Sequence, residues 1–400
     1  MASDDLPFLP YGRQSILEEE IDAVVEVLRG DWITQGPAIE RFEARLCDVT
    51  GAAHAVAVSS GTAALHLACL ALGAGPGVAA VTTPMTFAAT ANAVLYAGGK
   101  PLFADIDDRT FTLSPEAVVR LAEEHAGPEK IRGILPVHFA GLPADMEAFG
   151  SLARERGWFV IEDACHALGA EWRDAEGIWR KVGGGGSDAV VLSFHPVKHI
   201  TTGEGGAVLT PHAEIAERVR ELRHHGIVRD PARLKRHRAA WYHEIQHLGM
   251  NYRLTDMQAA LGTVQLDRLG TFVDLRRKVA QRYTELLAGD GRITLQAQPS
   301  GTRSSWHLFP VKVPHRDRIF TRLREERIGV QVHYFPVHLH PYYQELGYRE
   351  GLCPAAEALG EQILSLPMFP GLREADIERV ADALRRALDE AGRAGTPPDR

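Results

Sequence analysis

One lysine in the middle of the chain stands between an apolar strand pattern and a glycine-rich turn. It is Lys198, in the segment SFHPVKHITTGEGG at Ser193–Gly206. Since α/β proteins bind their ligands at the carboxyl ends of strands, the pattern predicts an amine held at such an edge. A desolvated lysine loses part of its ammonium character and becomes a nucleophile towards an aldehyde. The alternative is a surface lysine in a β-hairpin, but the apolar strand before it and TTGEGG after it favour the positioned amine.

Two acids end another apolar strand, in FVIEDACHALG at Phe159–Gly169. A carboxylate there can keep the ring nitrogen of pyridoxal phosphate (PLP) protonated, or it can bind Mg²⁺, and this motif alone fits both. No second acidic strand end matches it closely, which favours the ring nitrogen and predicts no metal site. Asp163 is predicted to be the partner of the ring because it lies one residue further out than Glu162.

Two further segments place polar or aromatic residues just after a strand. In VAVSSGTAA at Val56–Ala64, Ser-Ser-Gly-Thr begins a helix whose backbone N–H groups can bind a phosphate, although Ser and Thr are also ordinary N-caps. In TPMTFAATAN at Thr83–Asn92, Phe87 is a candidate to stack on a flat ring; the alternative is a core phenylalanine.

The elements that must position these residues alternate between short apolar runs and helical patterns, which is typical of an α/β fold with a mostly parallel sheet. The predicted strands are His54–Ser59, Ala79–Thr83, Pro101–Asp105, Ile131–Val137, Trp158–Glu162, Val190–Ser193 and Gly206–Thr210. The predicted helices between them are Thr62–Leu72, Phe87–Ala97, Pro115–Glu124, Met146–Arg156 and Ala213–Arg223. We expect residues 1–255 to form this large domain.

The remainder predicts a smaller α+β domain over residues 256–392, followed by a flexible tail at 393–400 that ends in GTPPDR. It begins with a helix-rich stretch from Thr255 to about Leu287. The later strands are predicted at His307–Val313 and Val330–Tyr334, and the helices at Asp317–Glu326, Pro354–Leu364 and Glu374–Ala391. The run Gly183–Gly186 is interpreted as a flexible turn.

Composition excludes several classes of protein. The net charge of −8 argues against a non-specific nucleic-acid binder, which usually has a basic face. No apolar run of about 18 residues predicts a membrane span, and no signal peptide is visible, so we expect a cytoplasmic protein. The four cysteines form no CxxC pair and indicate neither a zinc site nor a disulfide framework.

Taken together, these segments resemble the DegT-type family of sugar aminotransferases over nearly the whole chain. The motifs that carry the resemblance, in family order, are PYGRQS, WITQGP, SSGTAALHLA, TPMTFAATANA, EDACHALGA, SFHPVKHITTGEGGAV, GMNYRLTDMQAALG and VQVHYFPVHLHPYY. The resemblance implies the fold-type I architecture of PLP enzymes, with a three-layer large domain, and PLP as the cofactor. One departure is His199, which stands where many relatives have Asn.

The resemblance also implies residue roles. Lys198 is the Schiff-base lysine, Asp163 pairs with the ring nitrogen, and His166 lies beside the ring near its hydroxyl. Phe87 stacks on the ring. The residues implied to bind the cofactor phosphate are Gly61, Thr62, Ser193 and, from the partner subunit of a homodimer with shared active sites, Asn251.

Within the family, the likeness is strongest to the branch of pseudaminic acid synthesis. That branch aminates C4 of UDP-2-acetamido-2,6-dideoxy-β-L-arabino-hex-4-ulose, with L-glutamate as donor, to give UDP-4-amino-4,6-dideoxy-N-acetyl-β-L-altrosamine. By this likeness the substrate would contact Tyr11, Asp31, Trp32, Ile33, Thr34, Gln331, Val332, His333 and Tyr334. The alternative is another nucleotide-sugar branch, such as that of 4-amino-arabinose, which shares the HALG and lysine motifs.

The sequence disfavours three other functions. Some relatives carry His in place of the lysine and dehydrate sugars, but Lys198 favours amine transfer. A non-catalytic PLP-binding sensor would usually carry an added DNA-binding or partner module, and no basic helix-turn-helix pattern is evident. A nucleotide-binding oxidoreductase is disfavoured because no GxGxxG follows an early strand.

A basic segment, RHHGIVRDPARLKRHR at Arg223–Arg238, separates the lysine motif from GMNYR. Because the protein as a whole is acidic, an anionic nucleotide sugar must be met by local positive groups. We expect one or more of Arg229, Arg233 and Lys235 to contact the pyrophosphate. The alternative is a solvated surface loop.

Overall fold

The structure is a computed structural model that describes residues 7–236 and 238–393. The predicted tail segment GTPPDR lies outside the described residues. The strands are β1 (His54–Val58), β2 (Val78–Thr82), β3 (Lys100–Phe103), β4 (Lys130–Leu135), β5 (Phe159–Asp163), β6 (Glu171–Arg173), β7 (Trp179–Lys181), β8 (Ala189–Ser193), β9 (Gly206–Thr210), β10 (Ile227–Val228), β11 (Glu244–Ile245), β12 (Thr294–Leu295), β13 (Thr302–Arg303), β14 (Phe309–Lys312) and β15 (Ile363–Leu366).

The helices are α1 (Glu18–Arg29), α2 (Pro37–Thr50), α3 (Gly61–Ala71), α4 (Ala89–Tyr96), α5 (Pro115–Glu124), α6 (Met146–Arg156), α7 (Ala213–Leu222), α8 (Asp256–Asp267), α9 (Leu269–Leu287), α10 (Arg316–Glu325), α11 (Pro341–Glu345), α12 (Pro354–Gln362) and α13 (Glu374–Arg393). Four of the described helices, α3, α5, α6 and α8, begin after a residue whose side chain caps them. For example, the Asp145 side chain caps the start of α6, and Gly157 ends it in the left-handed conformation at φ 64°.

The main sheet has seven strands in the order β1-β9-β8-β5-β4-β2-β3. Only β9 runs against its neighbours: it pairs antiparallel with both β1 and β8, whereas β8, β5, β4, β2 and β3 pair in parallel. The parallel strands therefore end at one edge of the sheet, where the loops that follow them converge.

Helices cover both faces of this sheet, which gives three layers. Alternation along β1 shows the division, because Ala55 and Ala57 belong to the core on one face and Val56 and Val58 to the core on the other. The first core includes buried side chains of α2, α6 and α8, and the second those of α3, α4 and α7. This is the predicted α/β fold with a mostly parallel sheet, and that prediction is confirmed.

A separate core lies in the C-terminal part, between α10, α13, the later part of α9 and the three-stranded sheet β12-β14-β15. Along α9, Leu269, Phe272 and Val273 pack in the first core, whereas Val279, Ala280 and Tyr283 pack in this one. The predicted division between residues 255 and 256 stays a prediction. The first part of α9 packs in the core of the large sheet, and its later part packs in the C-terminal core.

Two predictions in the C-terminal part are wrong. Val330–Tyr334 is not a strand: only Gln331 forms a bridge, to Ser365, because β15 occupies the sheet position beside β14. Leu364, predicted as the last residue of a helix, lies inside β15. No helix of the described residues is long and apolar enough to cross a membrane.

Candidate active site

A cavity of about 510 Å³ opens where the parallel strands end. It brings together ten residues that the sequence singled out: Tyr11, Gly61, Thr62, Phe87, Asp163, His166, Ser193, Lys198, His333 and Tyr334. They come from the loops after β1, β2, β5 and β8, from the N-terminal segment and from the C-terminal part. The edge of the sheet therefore collects residues that are up to 323 positions apart in the chain (from Tyr11 to Tyr334).

Lys198 lies in a tight turn after β8, where its backbone N–H donates to the carbonyl of His195 over 2.9 Å. Burial lowers the pKa of the Lys198 ammonium below its ordinary value, and the charge of Arg276 acts in the same direction. The nearby Asp163 acts in the opposite direction on the Lys198 pKa. The result is an amine with more of the uncharged, nucleophilic form than a surface lysine has.

Asp163 is buried at the end of β5 and is fixed by two donors. The hydroxyl of Thr90 donates to Oδ2 over 2.6 Å, and the backbone N–H of Cys165 donates to Oδ1 over 3.1 Å. These two hydrogen bonds hold the carboxylate in one orientation at the cavity. A carboxylate fixed in this way is placed to accept a hydrogen bond from a ring nitrogen of a bound group.

The neighbouring Glu162 does not line the cavity. Its Oε2 is 2.7 Å from Nε2 of His138, and both side chains are almost fully buried. Since Nδ1 of His138 accepts a hydrogen bond from the backbone N–H of Ala144, Nε2 carries the proton and donates to Glu162. Of the two acids, the structure brings Asp163 to the cavity, as expected, and pairs Glu162 elsewhere.

The start of α3 offers donors for an anion. Ser60 caps the helix by accepting from the N–H of Ala63, and the helix N-terminus faces the cavity. A Cβ on Gly61 would lie 2.9 Å from Cβ of Ser193, so only glycine leaves this space open. Within the described parts of the chain, the hydroxyls of Thr62 and Ser193 have no hydrogen-bond partner in the protein.

The other side of the cavity is aromatic. Phe87 is 63% exposed, and its ring centroid lies 6.3 Å from that of Tyr334. The Tyr334 hydroxyl is 3.1 Å from Nε2 of His166, and Nδ1 of His166 is buried with no hydrogen-bond partner in the part of the chain that the structure describes. Burial is the main cause that lowers the pKa of His166 well below its ordinary value, so the ring is neutral at physiological pH.

Four histidines surround the lysine. His307 packs on His166 with ring centroids 4.3 Å apart, and Nε2 of His199 donates to the carbonyl of Ser305 over 3.1 Å. The pKa of His333, which contacts Ser365 Oγ, is lowered to about 3, first by burial and then by the charge of Lys198. Position 199, where the sequence departs from the resembled family, thus makes a hydrogen bond to the C-terminal part of the chain.

Several predicted site residues lie outside the cavity. Asp31 and Trp32 line a separate groove between α1, α2 and α8, and Thr34 pairs with Thr255. Gln331 bonds to Ser365 through its backbone. Ile33 is half exposed and follows Trp32 in the chain. Val332 lines an adjoining aromatic groove, and Asn251 is exposed. Their roles stay predictions.

The sequence did not single out four side chains that line the cavity: Cys165, His195, Glu204 and His307. The first three lie inside motifs already noted, so proximity to Asp163 or Lys198 was the available signal. His307 had none, because it reaches the cavity from the strand-rich C-terminal part and lies 109 positions after Lys198.

Two arginines of the basic segment form ion pairs with glutamates. Arg223 contacts Glu43 over 2.6 Å, and Arg233 contacts Glu217 and, over 2.7 Å, Glu221. Among the described residues, no hydrogen bond or ion pair engages the exposed side chain of Arg229.

Comparison with known proteins identifies the kind of enzyme. Residues 14–385 match the model of the DegT/DnrJ/EryC1/StrS aminotransferase family. The chain belongs to this family. The spore coat polysaccharide biosynthesis protein SpsC of Bacillus subtilis is 39% identical over 387 residues, which cover 94% of this chain and 96% of SpsC. An uncharacterized protein of Methanocaldococcus jannaschii is 38% identical over 391 residues, covering 96% and 98% of the two chains.

Solved structures of aminotransferases superpose on the whole fold. DesV of S. venezuelae, in complex with a ketimine intermediate, is 35% identical with a TM-score of 0.85, covering 95% of this chain and 98% of DesV. PseC of Helicobacter pylori, an aminotransferase of pseudaminic acid biosynthesis, is 29% identical with a TM-score of 0.85, covering 96% and 100%. The putative sugar aminotransferase Spr1654 of Streptococcus pneumoniae, solved in its PLP form, is 27% identical with a TM-score of 0.86, covering 96% and 99%.

The protein is therefore a PLP-dependent sugar aminotransferase, and the expected cofactor and reaction type are confirmed. The residues at the cavity fit the cofactor. Free hydroxyls and the α3 N-terminus suit its phosphate, the orphaned Nδ1 of His166 suits its ring hydroxyl, and the fixed Asp163 carboxylate suits its ring nitrogen.

Proposed function

We propose that this sugar aminotransferase acts on a nucleotide-linked 4-keto-6-deoxy sugar and takes the amino group from L-glutamate. The specific substrate proposed is UDP-2-acetamido-2,6-dideoxy-β-L-arabino-hex-4-ulose, as in pseudaminic acid synthesis. Support comes from the similarity to PseC over the whole chain and from the motifs at Pro10–Ser15 and Asp31–Pro37.

The observation that carries the proposal is that Lys198, Asp163 and His166 line the same cavity as Tyr11, His333 and Tyr334. Lys198, Asp163 and His166 are the residues that we propose carry out amine transfer. Tyr11, His333 and Tyr334 present hydroxyl and imidazole groups to whatever enters, which suits a sugar. Tyr11 reaches this position because its carbonyl accepts from the N–H of Met368, next to β15.

When bound, PLP supplies an electrophilic aldehyde and a ring that withdraws electrons from the reacting carbon. Lys198 would hold the cofactor through Nζ, and its free amine would be the base that removes the proton from the α-carbon of glutamate. In the second half of the reaction it returns a proton to the sugar carbon that bore the keto oxygen. Asp163 holds a proton on the ring nitrogen, and Thr90 and the Cys165 N–H hold Asp163.

We also propose a homodimer in which Asn251 completes the phosphate site of the partner subunit. Asn251 is exposed and does not line the cavity of its own chain, so it needs a second chain to reach such a site. Exposed apolar side chains at Ile21, Leu28 and Trp32 on and after α1 suit burial against another subunit.

Another nucleotide-sugar branch is the second candidate, including that of 4-amino-arabinose and other 3- or 4-keto sugars. DesV is 35% identical to this chain and PseC 29%, so identity does not favour the PseC branch. The two candidates share the cofactor and the amine-transfer residues, and they differ only in the sugar.

A panel of nucleotide keto sugars, each incubated with glutamate and followed by mass, tests the proposal. The account expects conversion of the UDP-linked 4-keto-6-deoxy N-acetyl sugar at the highest kcat/KM. Highest activity on a sugar without the N-acetyl group, or on a 3-keto sugar, would replace the proposed substrate and favour the second candidate. Activity on free keto sugars equal to that on their nucleotide-linked forms would remove the nucleotide from the proposal.

A further inference from the structure

An arginine is buried behind the catalytic lysine without an acidic partner. Arg276 lies on α9 and is 1% exposed, and among the described residues no carboxylate forms an ion pair with it. Burying a guanidinium without a counter-charge is costly unless its N–H groups are satisfied by other acceptors. The acceptors around the guanidinium must therefore account for its stability in the buried site.

Backbone carbonyls from three separate segments take the place of a counter-ion. Nη1 donates to the carbonyls of Trp306, His307 and Met368 over 3.3, 3.2 and 3.1 Å. Nη2 donates to the carbonyls of Val197 and Lys198, each over 3.4 Å. One side chain thus joins the lysine turn to two segments of the C-terminal part.

Two of the three joined segments deliver side chains to the cavity. Val197 and Lys198 come from the turn after β8, and His307 comes from the chain just before β14. No other described side chain donates hydrogen bonds to both the Lys198 and the His307 carbonyl. The distance between Nζ of Lys198 and the wall formed by His307 and His166 thus depends on the guanidinium that bonds to both backbones.

From this arrangement we infer that Arg276 is a positioning residue, which fixes the backbone of Lys198 against the C-terminal part and so sets the place of the reacting amine. Arg276 does not itself line the cavity; it acts through the backbone carbonyls of Lys198 and His307. The positive charge of Arg276 contributes to this role. Five backbone carbonyl dipoles point at the guanidinium, and a neutral side chain would leave them unsatisfied.

The inference is tested on the apo-protein, in the capture of free PLP by Lys198, followed by stopped-flow absorbance. Arg276→Met removes the donors and the charge, and Arg276→Lys keeps the charge with fewer donors. The matched control is Arg277→Met on the same helix. Arg277 also donates to a C-terminal carbonyl, that of Ser304 over 3.2 Å, but does not contact the lysine turn.

We expect Arg276→Met to capture PLP at least about tenfold more slowly than Arg277→Met, because displacement of a reacting group by about 1 Å is enough for losses of this size. Arg276→Lys should lie between Arg276→Met and the wild type. Folded fractions from far-UV circular dichroism and thermal midpoints are measured in parallel, and rates are compared per folded molecule.

Equal capture rates in Arg276→Met and Arg277→Met, per folded molecule, would overturn the inference and leave Arg276 a purely structural residue. If Arg276→Met does not fold, Arg276→Lys decides: slower capture by a folded protein upholds the positioning role, and a wild-type rate overturns it. Because the assay measures PLP capture without any sugar, failure here is distinguishable from failure of the proposed substrate.

Discussion

Adjacent residues on a strand point to opposite faces of the sheet. At the end of β5 this alternation puts Asp163 and Glu162 in different surroundings. Asp163 faces the cavity and accepts from Thr90 and the Cys165 N–H. Glu162 faces away and accepts from His138. The two can be distinguished by substitutions that change charge and preserve shape.

Asp163→Asn should keep the fold and lower kcat by about 10²–10³-fold, the loss expected when one preorganised electrostatic partner of the reacting system is removed. Asp163→Ala should in addition weaken PLP retention. The matched variant Glu162→Gln should bind PLP and turn over within a few-fold of wild type. A rate for Asp163→Asn within a few-fold of wild type, with a large loss in Glu162→Gln, would reverse the assignment.

The buried histidines make stability depend on pH. In the folded protein the pKa of His333 is about 3, against an ordinary 6.5, and those of His166, His199 and His307 are also well below 6.5. Between these values the unfolded chain binds protons that the folded chain does not. The free energy of unfolding therefore falls as pH is lowered through and below 6.5.

His333→Gln should flatten this dependence by up to about 1.4 kcal/mol per pH unit, the linkage slope of one proton. Urea unfolding at several pH values between about 7 and 5 measures it. The exposed His243, changed to Gln, is the control and should leave the slope unaltered. Equal slopes in His333→Gln and the wild type would show that His333 takes up its proton in the folded protein.

At the residue scale, the sequence predicted the side chains that lie inside local motifs. Lys198 and Asp163 follow apolar strands, and their place at the sheet edge follows from the fold class. Arg276 and His307 were not predicted, because their importance comes from contacts with segments 78 and 109 positions away from Lys198. Such contacts leave no periodicity or spacing in a single sequence.

At the scale of elements, the hairpin that begins with β10 and ends with β11 carries the basic segment. Asp230 caps the turn in this hairpin, and Glu244 accepts from the backbone N–H groups of Lys235 and Arg236. The turn is therefore ordered by acids of its own. Arg233 forms ion pairs with Glu217 and Glu221, whereas within the described ranges Arg229 has no ion-pair partner.

The expectation that this segment contacts the pyrophosphate now centres on Arg229 and on Lys235, whose exposed side chain likewise has no hydrogen-bond or ion-pair partner among the described residues. At least one of Arg229→Ala and Lys235→Ala should raise KM for the nucleotide sugar several-fold, with an effect that weakens at high salt because exposed charges are screened. Arg233→Ala, its matched variant, should lower the thermal midpoint and leave KM near wild type. Unchanged KM in both Arg229→Ala and Lys235→Ala would assign the segment to the solvated surface, the alternative left open by the sequence.

The sequence predicted the seven strands of the main sheet within a few residues because each is a short apolar run between turn signals. It failed at Val330–Tyr334, where the apolar and aromatic alternation serves to line the cavity and the adjoining groove instead of pairing in a sheet. The helices α1 and α2 were not among the predicted elements. Their apolar side chains are divided between the protein's core and the exposed surface, as Ile39 and Ile21 illustrate.

At the scale of the whole molecule, the proposed dimer makes a prediction about mixed subunits. A Lys198→Ala chain and an Asn251→Ala chain are each expected to be inactive or nearly so. If Asn251 serves the partner's site, their heterodimer has one site with both residues intact, and mixing should restore activity. If Asn251 serves its own chain, every site in the heterodimer lacks one of the two residues.

Activity of the mixture is compared with that of each variant alone after subunit exchange, and the assembly state is measured by sedimentation. Recovery requires both a dimer and a shared site. A dimer without recovery would contradict the shared phosphate site, and a monomer with full activity would contradict the dimer.

The central claim is amine transfer to a sugar through Lys198, and the fate of the donor nitrogen tests it most directly. The PLP-loaded protein is incubated with glutamate carrying an isotope-labelled amino group and with the UDP-linked 4-keto sugar. We predict that the label appears on the sugar, with an equal amount of 2-oxoglutarate, and that Lys198→Ala transfers none. Label transfer by Lys198→Ala at a rate near that of the wild type would contradict the account.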